Sequence, residues 1–189
     1  MNKLRLPVFL LLSALCAFII QSCNKDAVTA TAYTTAAFQA NINGATWAPD
    51  SVSMFITYNP DSKTKTLSCV GTKSQKQVLF SVALPNSGDT PGFTLGTYNI
   101  DGAAVNAQYK TQQLSGGSYV FLPHGTVEPG AGSIIITAID SVKKEITGTF
   151  SFYSRTTNYD NAGNVISISV DNITAGEFTN KSYIYTNNQ

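Results

Sequence analysis

Few side chains in this chain of 189 residues are equipped for chemistry. It has one histidine, His124, and three cysteines, Cys16, Cys23 and Cys69. A thiol nucleophile needs a base, so Cys69 would have to meet His124, and no motif joins the two. Leu67-Ser68-Cys69 puts the thiol in phase with Leu67, and a small buried apolar residue is the plainer reading. A catalytic zinc usually takes three protein ligands, more than one His and one thiol supply. A Ser-His-Asp site would have to use His124, yet no Gly-x-Ser-x-Gly elbow occurs. A glycosidase needs two placed carboxylates. The glutamates are Glu128, Glu145 and Glu177, and the last two read as solvent-facing strand residues. Asp160-Asn161-Ala162-Gly163-Asn164 has some flavour of a calcium loop, but it lacks the closing bidentate Glu and reads better as a hairpin turn. The expectation is a protein that is not an enzyme, with no catalytic residue, no metal and no cofactor.

One cysteine does sit in a spacing with chemical meaning. Lys3 and Arg5 precede an almost wholly apolar run from Leu6 to Ile20, and Gln21-Ser22-Cys23 follows. The run is shorter than the ~20 residues a spanning helix needs. A positive start, a short apolar stretch and a small residue before the cut describe a signal peptide. The order resembles the signal peptide of a bacterial lipoprotein. That resemblance implies cleavage after Ser22 and lipid attachment at Cys23, where two or more acyl chains hold stably to a bilayer. Gln21 departs from the usual pattern. The competing readings are an uncleaved anchor and lipidation at Cys16, which lies inside the apolar run. The expected division is residues 1–22 as signal peptide, 23–35 as lipidated Cys and flexible tether, and 36–189 as a single all-β domain.

Charge excludes one class of partner. The chain has 12 basic and 11 acidic residues. Lys3 and Arg5 leave with the leader, and the largest basic run left is the pair Lys143-Lys144. Nucleic-acid binding needs a positive footprint, so no nucleic acid is expected. A surface rich in Thr, Ser and Asn suits a neutral partner. Once Cys23 carries lipid, Cys69 has no thiol left to pair with, so no disulfide is expected even in an oxidising compartment.

The elements that position these residues follow from a period of two. Phe38, Ala40 and Ile42 alternate with polar residues. Val52, Met54, Ile56 and Tyr58 share a face, as do Val78, Phe80, Val82 and Leu84. Ile146, Gly148, Phe150 and Phe152 form a third set, and Ile166, Ile168 and Val170 a fourth, alternating with Ser167 and Ser169. Each set predicts a strand with that face on a core and the other in water. Ser133–Ile139 is apolar on both faces and predicts a central strand. Asn43-Gly44 is a strong hairpin signal. Asn59-Pro60, Asp101-Gly102, Gly116-Gly117, Pro129-Gly130 and Gly163-Asn164 are further breaks. About ten strands of ordinary length are expected, in an antiparallel β-sandwich or a flattened β-barrel.

Two loops stand out, Pro85–Gly92 and Pro123–Gly132. Loops above a rigid scaffold often carry binding residues, though both also fit plain sheet-to-sheet connections. The aromatics Trp47, Tyr58, Tyr98, Tyr109, Tyr119, Tyr153, Tyr159, Tyr183 and Tyr185 could hold a sugar or a peptide, or could simply be core edges and cross-strand pairs.

Several of these segments together carry a resemblance. Ala40-Asn41-Ile42-Asn43-Gly44-Ala45-Thr46-Trp47 resembles the "A-x-I-N-G-x-x-W" opening of small Bacteroidetes cell-envelope lipoproteins of unknown function, the DUF6252-like group. Gly148-Thr149-Phe150-Ser151-Phe152 and Thr174-Ala175-Gly176-Glu177-Phe178 resemble that group's later "G-T-F-S-F" and "T-x-G-x-F" segments. The resemblance implies a β fold and a cell-envelope site, and it carries over no functional residue. Asn24-Lys25-Asp26 looks like the start of a surface-export signal of that lineage, favouring the surface over the periplasmic side of the outer membrane. Asp50-Ser51-Val52 and Asp140-Ser141-Val142 look like its O-glycosylation sites, and read equally well as turn residues. The expected function is a membrane-anchored, non-catalytic binding or accessory module of the envelope, with a glycan or an envelope protein as partner. The alternatives are a hydrolase with an unorthodox carboxylate site built from Glu128, Glu145 and Glu177, and a purely structural envelope component.

Overall fold

The computed structural model describes residues 38–188, and its regular structure is all strand. The strands are β1 (Phe38–Ile42), β2 (Ala45–Trp47), β3 (Ser51–Asn59), β4 (Thr64–Lys73), β5 (Lys76–Leu84), β6 (Gly96–Asn99), β7 (Val105–Ser115), β8 (Ser118–Pro123), β9 (Gly132–Asp140), β10 (Glu145–Tyr159), β11 (Val165–Ser182) and β12 (Ile184–Asn187). They form two six-stranded sheets, in the orders β2-β1-β11-β10-β9-β6 and β12-β3-β4-β5-β7-β8. No pairing joins one sheet to the other among these strands, so the fold is an open β-sandwich and not a barrel. The short strands β2, β6 and β12, three or four residues each, lift the count above the ten expected.

Asn43 and Gly44 take positive φ angles, 53° and 80°, as the tight β1–β2 hairpin requires. One pairing departs from antiparallel order. β12 lies parallel to β3, with Ile184 opposite Phe55. Connections too short for a crossover force antiparallel order only on chain neighbours. They do not constrain these two strands, which are separated by most of the sequence.

The inward faces meet in an aromatic cluster. Phe178 and Phe150 from one sheet pack on Phe80 from the other, with ring centroids 5.7 and 5.3 Å apart, and Phe38 lies beside Phe150 at 5.4 Å. Ile56, Leu67, Val82, Ile134, Ile146 and Ile173 close the core around them. Ile134 and Ile136 of β9 are buried, and Ile135 on the opposite face is half-buried. Gly71 leaves room for this packing, since a Cβ there would meet the Trp47 ring at 3.0 Å and Phe38 at 3.2 Å.

One face assignment is reversed. Ile166, Ile168 and Val170 were expected on the core, and they stand 67%, 50% and 45% exposed. Ser167 and Ser169 on the opposite face are exposed as well, because this stretch runs past the core, and a bulge sets which face each residue takes. Between Phe150↔Gly176 and Phe152↔Ile173, β11 spends one residue more than β10. Ala175 sits at this bulge with a φ of +47°. One extra residue exchanges the faces of everything beyond it. Phe178 and Gly176 point inward, but past the bulge the inward residues are Ile173 and Asp171, so the even-numbered aliphatics face out.

Beyond Ile42, β11 loses β1. Beyond Gly132, β10 loses β9 but stays bonded to the second loop through Tyr153 N to Ala131 O and the Thr126–Arg155 bridge, and past Arg155 the two strands continue as a two-stranded arm. β7 and β8 likewise run on past β5, whose last pair is Lys76↔Thr111. No helix among the described residues is long and apolar enough to cross a membrane. Cys23, the tether and the leader lie outside the described residues.

Candidate functional site

The loop after Leu84 is held from several directions. Ser87 donates its backbone N–H to Lys63 O at 2.8 Å and its hydroxyl to Leu84 O at 2.9 Å. Lys65 Nζ donates to Thr90 Oγ1 at 2.9 Å and to Gly92 O at 2.8 Å. Tyr183 donates its hydroxyl to Pro91 O at 2.6 Å. Tyr185 Oη donates to Asp89 Oδ1, and Asn187 Nδ2 donates to Asp89 Oδ2 at 2.6 Å. A connection needing only to cross from one sheet to the other has no use for so many ties.

The ties hold open a cavity of about 710 Å³ between the loop and the ends of β4, β5 and β6. That lies within the range of ~300–1,000 Å³ typical of small-molecule sites. Its wall offers the side chains of Asn86, Ser87, Thr90, Thr94 and Thr97 and the backbone of Gly88, Gly92 and Gly96. Leu84, Pro85, Leu95 and the Tyr98 ring add apolar surface. Tyr98 is fixed by donating its hydroxyl to Thr94 O at 2.6 Å and by edge contact with Phe93.

Among the described residues no carboxylate lines the cavity, and Lys65 is the one charged lining residue; Asp89 is turned away onto Tyr185 and Asn187. Lys65 is only 5% exposed. Burial pulls its pKa below the usual lysine range, an effect that Asp89 partly offsets. Two of its three N–H groups are committed to the loop, which leaves one donor. Chemically the cavity suits a neutral ligand with many hydroxyl or amide groups and an apolar side.

The loop was singled out from sequence, but Lys65 was not. The signal for it was present, because Lys65 falls in phase with Leu67 and Cys69 on the buried face of β4, where a lysine needs a reason. Of the nine tyrosine and tryptophan residues singled out, only Tyr98 lines this cavity. Trp47, Tyr58, Tyr109 and Tyr183 are core, and Tyr119, Tyr153 and Tyr159 are exposed on the arms.

The second loop serves the other end of the sandwich. Leu84 and Lys65 pair at one end of β4–β5, Lys76 and Lys73 at the other. His124 follows β8 at the Lys76 end. Its Nε2 lies 3.3 Å from Asp171 Oδ2, and its Nδ1 3.4 Å from Thr111 Oγ1. Its backbone oxygen accepts from Ser154 Oγ at 2.5 Å, and Asp171 Oδ1 accepts from Asn43 Nδ2 at 2.8 Å. His124 thus ties the bases of the two arms together.

Cys69 is far from this contact in character. It is buried among Met54, Phe80 and the core, and burial pushes its thiol pKa well up. The three glutamates are not brought together. Glu177 accepts from Gln39 at 2.7 Å on the outer face, Glu145 opens β10 opposite Ser182, and Glu128 lies in the second loop. Asp160 accepts from the backbone N–H of Ala162 and Asn164, a hairpin-turn arrangement. Among the described residues, no cluster of three or more His, Cys, Asp or Glu is placed to hold a metal.

A family model described as "Domain of unknown function (DUF6252)" matches residues 34–182. The chain belongs to this family. The matched span takes in the cavity loop, Lys65, His124 and Asp171, and stops short of Tyr183, Tyr185 and Asn187, which clamp the loop. No curated protein and no solved structure matches the chain.

Proposed function

We propose that this DUF6252 protein is a non-catalytic binding module of the bacterial cell envelope. In this reading it is held to the outer membrane through lipid on Cys23, and it takes a neutral glycan into the cavity under the Pro85–Gly92 loop. The cavity is the observation that supports the binding role. It is roomy, pre-organised by contacts from β4 and from the Tyr183–Asn187 segment, and lined by hydroxyls, amides and apolar patches with no carboxylate. A sugar has the matching chemistry, with hydroxyls around its rim and C–H groups on its faces. A rigid site spends little of its binding energy on ordering itself. The leader and the Cys23 context support the anchor, and the motif resemblance supports a Bacteroidetes envelope origin.

Two experiments test this. Replacing Cys23 with Ser should move the protein from membranes to the soluble fraction, and retention in membranes would contradict the lipid anchor. Calorimetry with neutral oligosaccharides of hexoses and N-acetylhexosamines should show binding that Tyr98→Ala weakens at least tenfold, while Val142→Ala, at an exposed turn, leaves it unchanged. Binding equally strong in Tyr98→Ala would place the ligand elsewhere.

A further inference from the structure

The stretch Val165-Ile166-Ser167-Ile168-Ser169-Val170 has three properties that natural edge strands normally avoid together. It carries no charge, it contains neither Gly nor Pro, and its side away from β10 has no strand partner among the described residues. β1 stops pairing at Ile173, and the last backbone bond on that side runs from Asn43 N to Asn172 O. Exposed edges of this kind are usually blunted by lysine, proline or a bulge. Here the outer face also shows Ile166, Ile168 and Val170.

The stretch is also nearly symmetric about Ile168. In an antiparallel pairing with a second copy centred on that residue, Ile166 faces Val170, Ser167 faces Ser169, and Ile168 faces itself. Residues directly opposite share a face, so six aliphatic side chains line up on the outer face and the serines on the other. The only charged residue brought in is Asp171, opposite Val165, so no like charges meet. A contact of this kind is isologous and closes on itself as a two-fold dimer.

We infer that the β10–β11 arm is a homodimerisation strand, and that its occupant is the same arm of a second copy. The β7–β8 arm fits this role less well, because its exposed residues Leu114, Tyr119, Val120 and Leu122 are divided between two faces by the register Leu114↔Tyr119 and Gln113↔Val120. A pairing of about six residues buries less than the ~1,200 Å² of a standard interface. The dimer is therefore weak and depends on concentration.

Oxidative cross-linking of the full chain in cells tests it. Ile168→Cys, alone on the two-fold axis, should form a covalent dimer in high yield. Ile166→Cys should give several-fold less by itself, and should recover the yield when co-expressed with Val170→Cys. Val142→Cys, exposed at the β9–β10 turn, measures random collision. Ile168→Glu in the otherwise unchanged chain places like charges opposite each other, adds no amine, and should abolish the dimer seen with an amine cross-linker, without changing the melting temperature. The inference is overturned if Ile168→Cys yields no more dimer than Val142→Cys, or if it links instead to a protein of different mass.

Discussion

Phe178 is the ring on which both sheets depend. It is fully buried, and its centroid lies 5.7 Å from Phe80 across the sandwich, 6.4 Å from Phe38 and 6.5 Å from Phe150. Phe178→Ala removes the ring and leaves a cavity bounded by β1, β5 and β10, which backbone hydrogen bonds keep from collapsing. A change of this class costs about 3–5 kcal/mol. Domains of ordinary stability hold only ~5–15 kcal/mol in total. For a domain of this size the corresponding fall in Tm is roughly 6–20 °C. Urea unfolding followed by tryptophan fluorescence suits the measurement. Trp47 is the single tryptophan, it is buried, and it meets Phe38 edge-on at 6.4 Å, so it reports on the same cluster. Phe178→Leu keeps most of the volume and should cost under ~1.5 kcal/mol. A loss below about 1 kcal/mol for Phe178→Ala would refute the claim that the ring is shared by both sheets.

Further outcomes follow from other contacts. Gly125→Ala should destabilise far more than Gly163→Ala in the same urea assay: both residues have φ above +80°, but a Cβ at Gly125 would meet Ser154 Oγ at 2.6 Å, whereas Gly163 has open space. Cys69 should resist thiol reagents until the domain unfolds, so its labelling rate should rise with urea along the unfolding curve and not before it. Burial, and then Asp89, push the Tyr185 hydroxyl up to about 12. An ordinary tyrosine ionises near ~10, so the contact contributes its full stability below that pH and loses it as the pH rises through about 12. Burial also raises Tyr98, Tyr109 and Tyr183, so absorbance titration should show a group of late phenols that Tyr185→Phe reduces by one.

Much of the sandwich was legible because a strand with one wet face writes its burial into alternate residues. Phe38-Ala40-Ile42, Met54-Ile56-Tyr58 and Val78-Phe80-Val82 are buried as their spacing predicted. Alternation gives a phase and not a direction, so it sets neither the face that Ile166, Ile168 and Val170 take nor the fact that this stretch runs past the core. The direction is set by the bulge at Ala175, where nothing in Ile173-Thr174-Ala175-Gly176 announces a positive φ at a non-glycine residue. Short strands such as β6 and β12 escaped because three or four residues carry too little pattern to separate from a loop. The parallel β12–β3 pair escaped because it joins distant parts of the chain.

Site residues were legible only in outline. Pro85–Gly92 was visible as a long loop, but its clamp comes from Tyr183, Tyr185 and Asn187, some 90 residues later, and only the fold brings them together. His124 was visible as the lone imidazole, while its partners Asp171 and Thr111 come from two different sheets.

Amide hydrogen exchange in the presence of a neutral oligosaccharide is the most direct test of the cavity as the binding site. A hexose or N-acetylhexosamine oligomer that binds should slow exchange in the Leu84–Tyr98 segment and at Lys65, with the two arms and the outer sheet faces unchanged. Protection confined to the arms, or no protection anywhere across the oligosaccharide panel at millimolar concentration, would contradict the account.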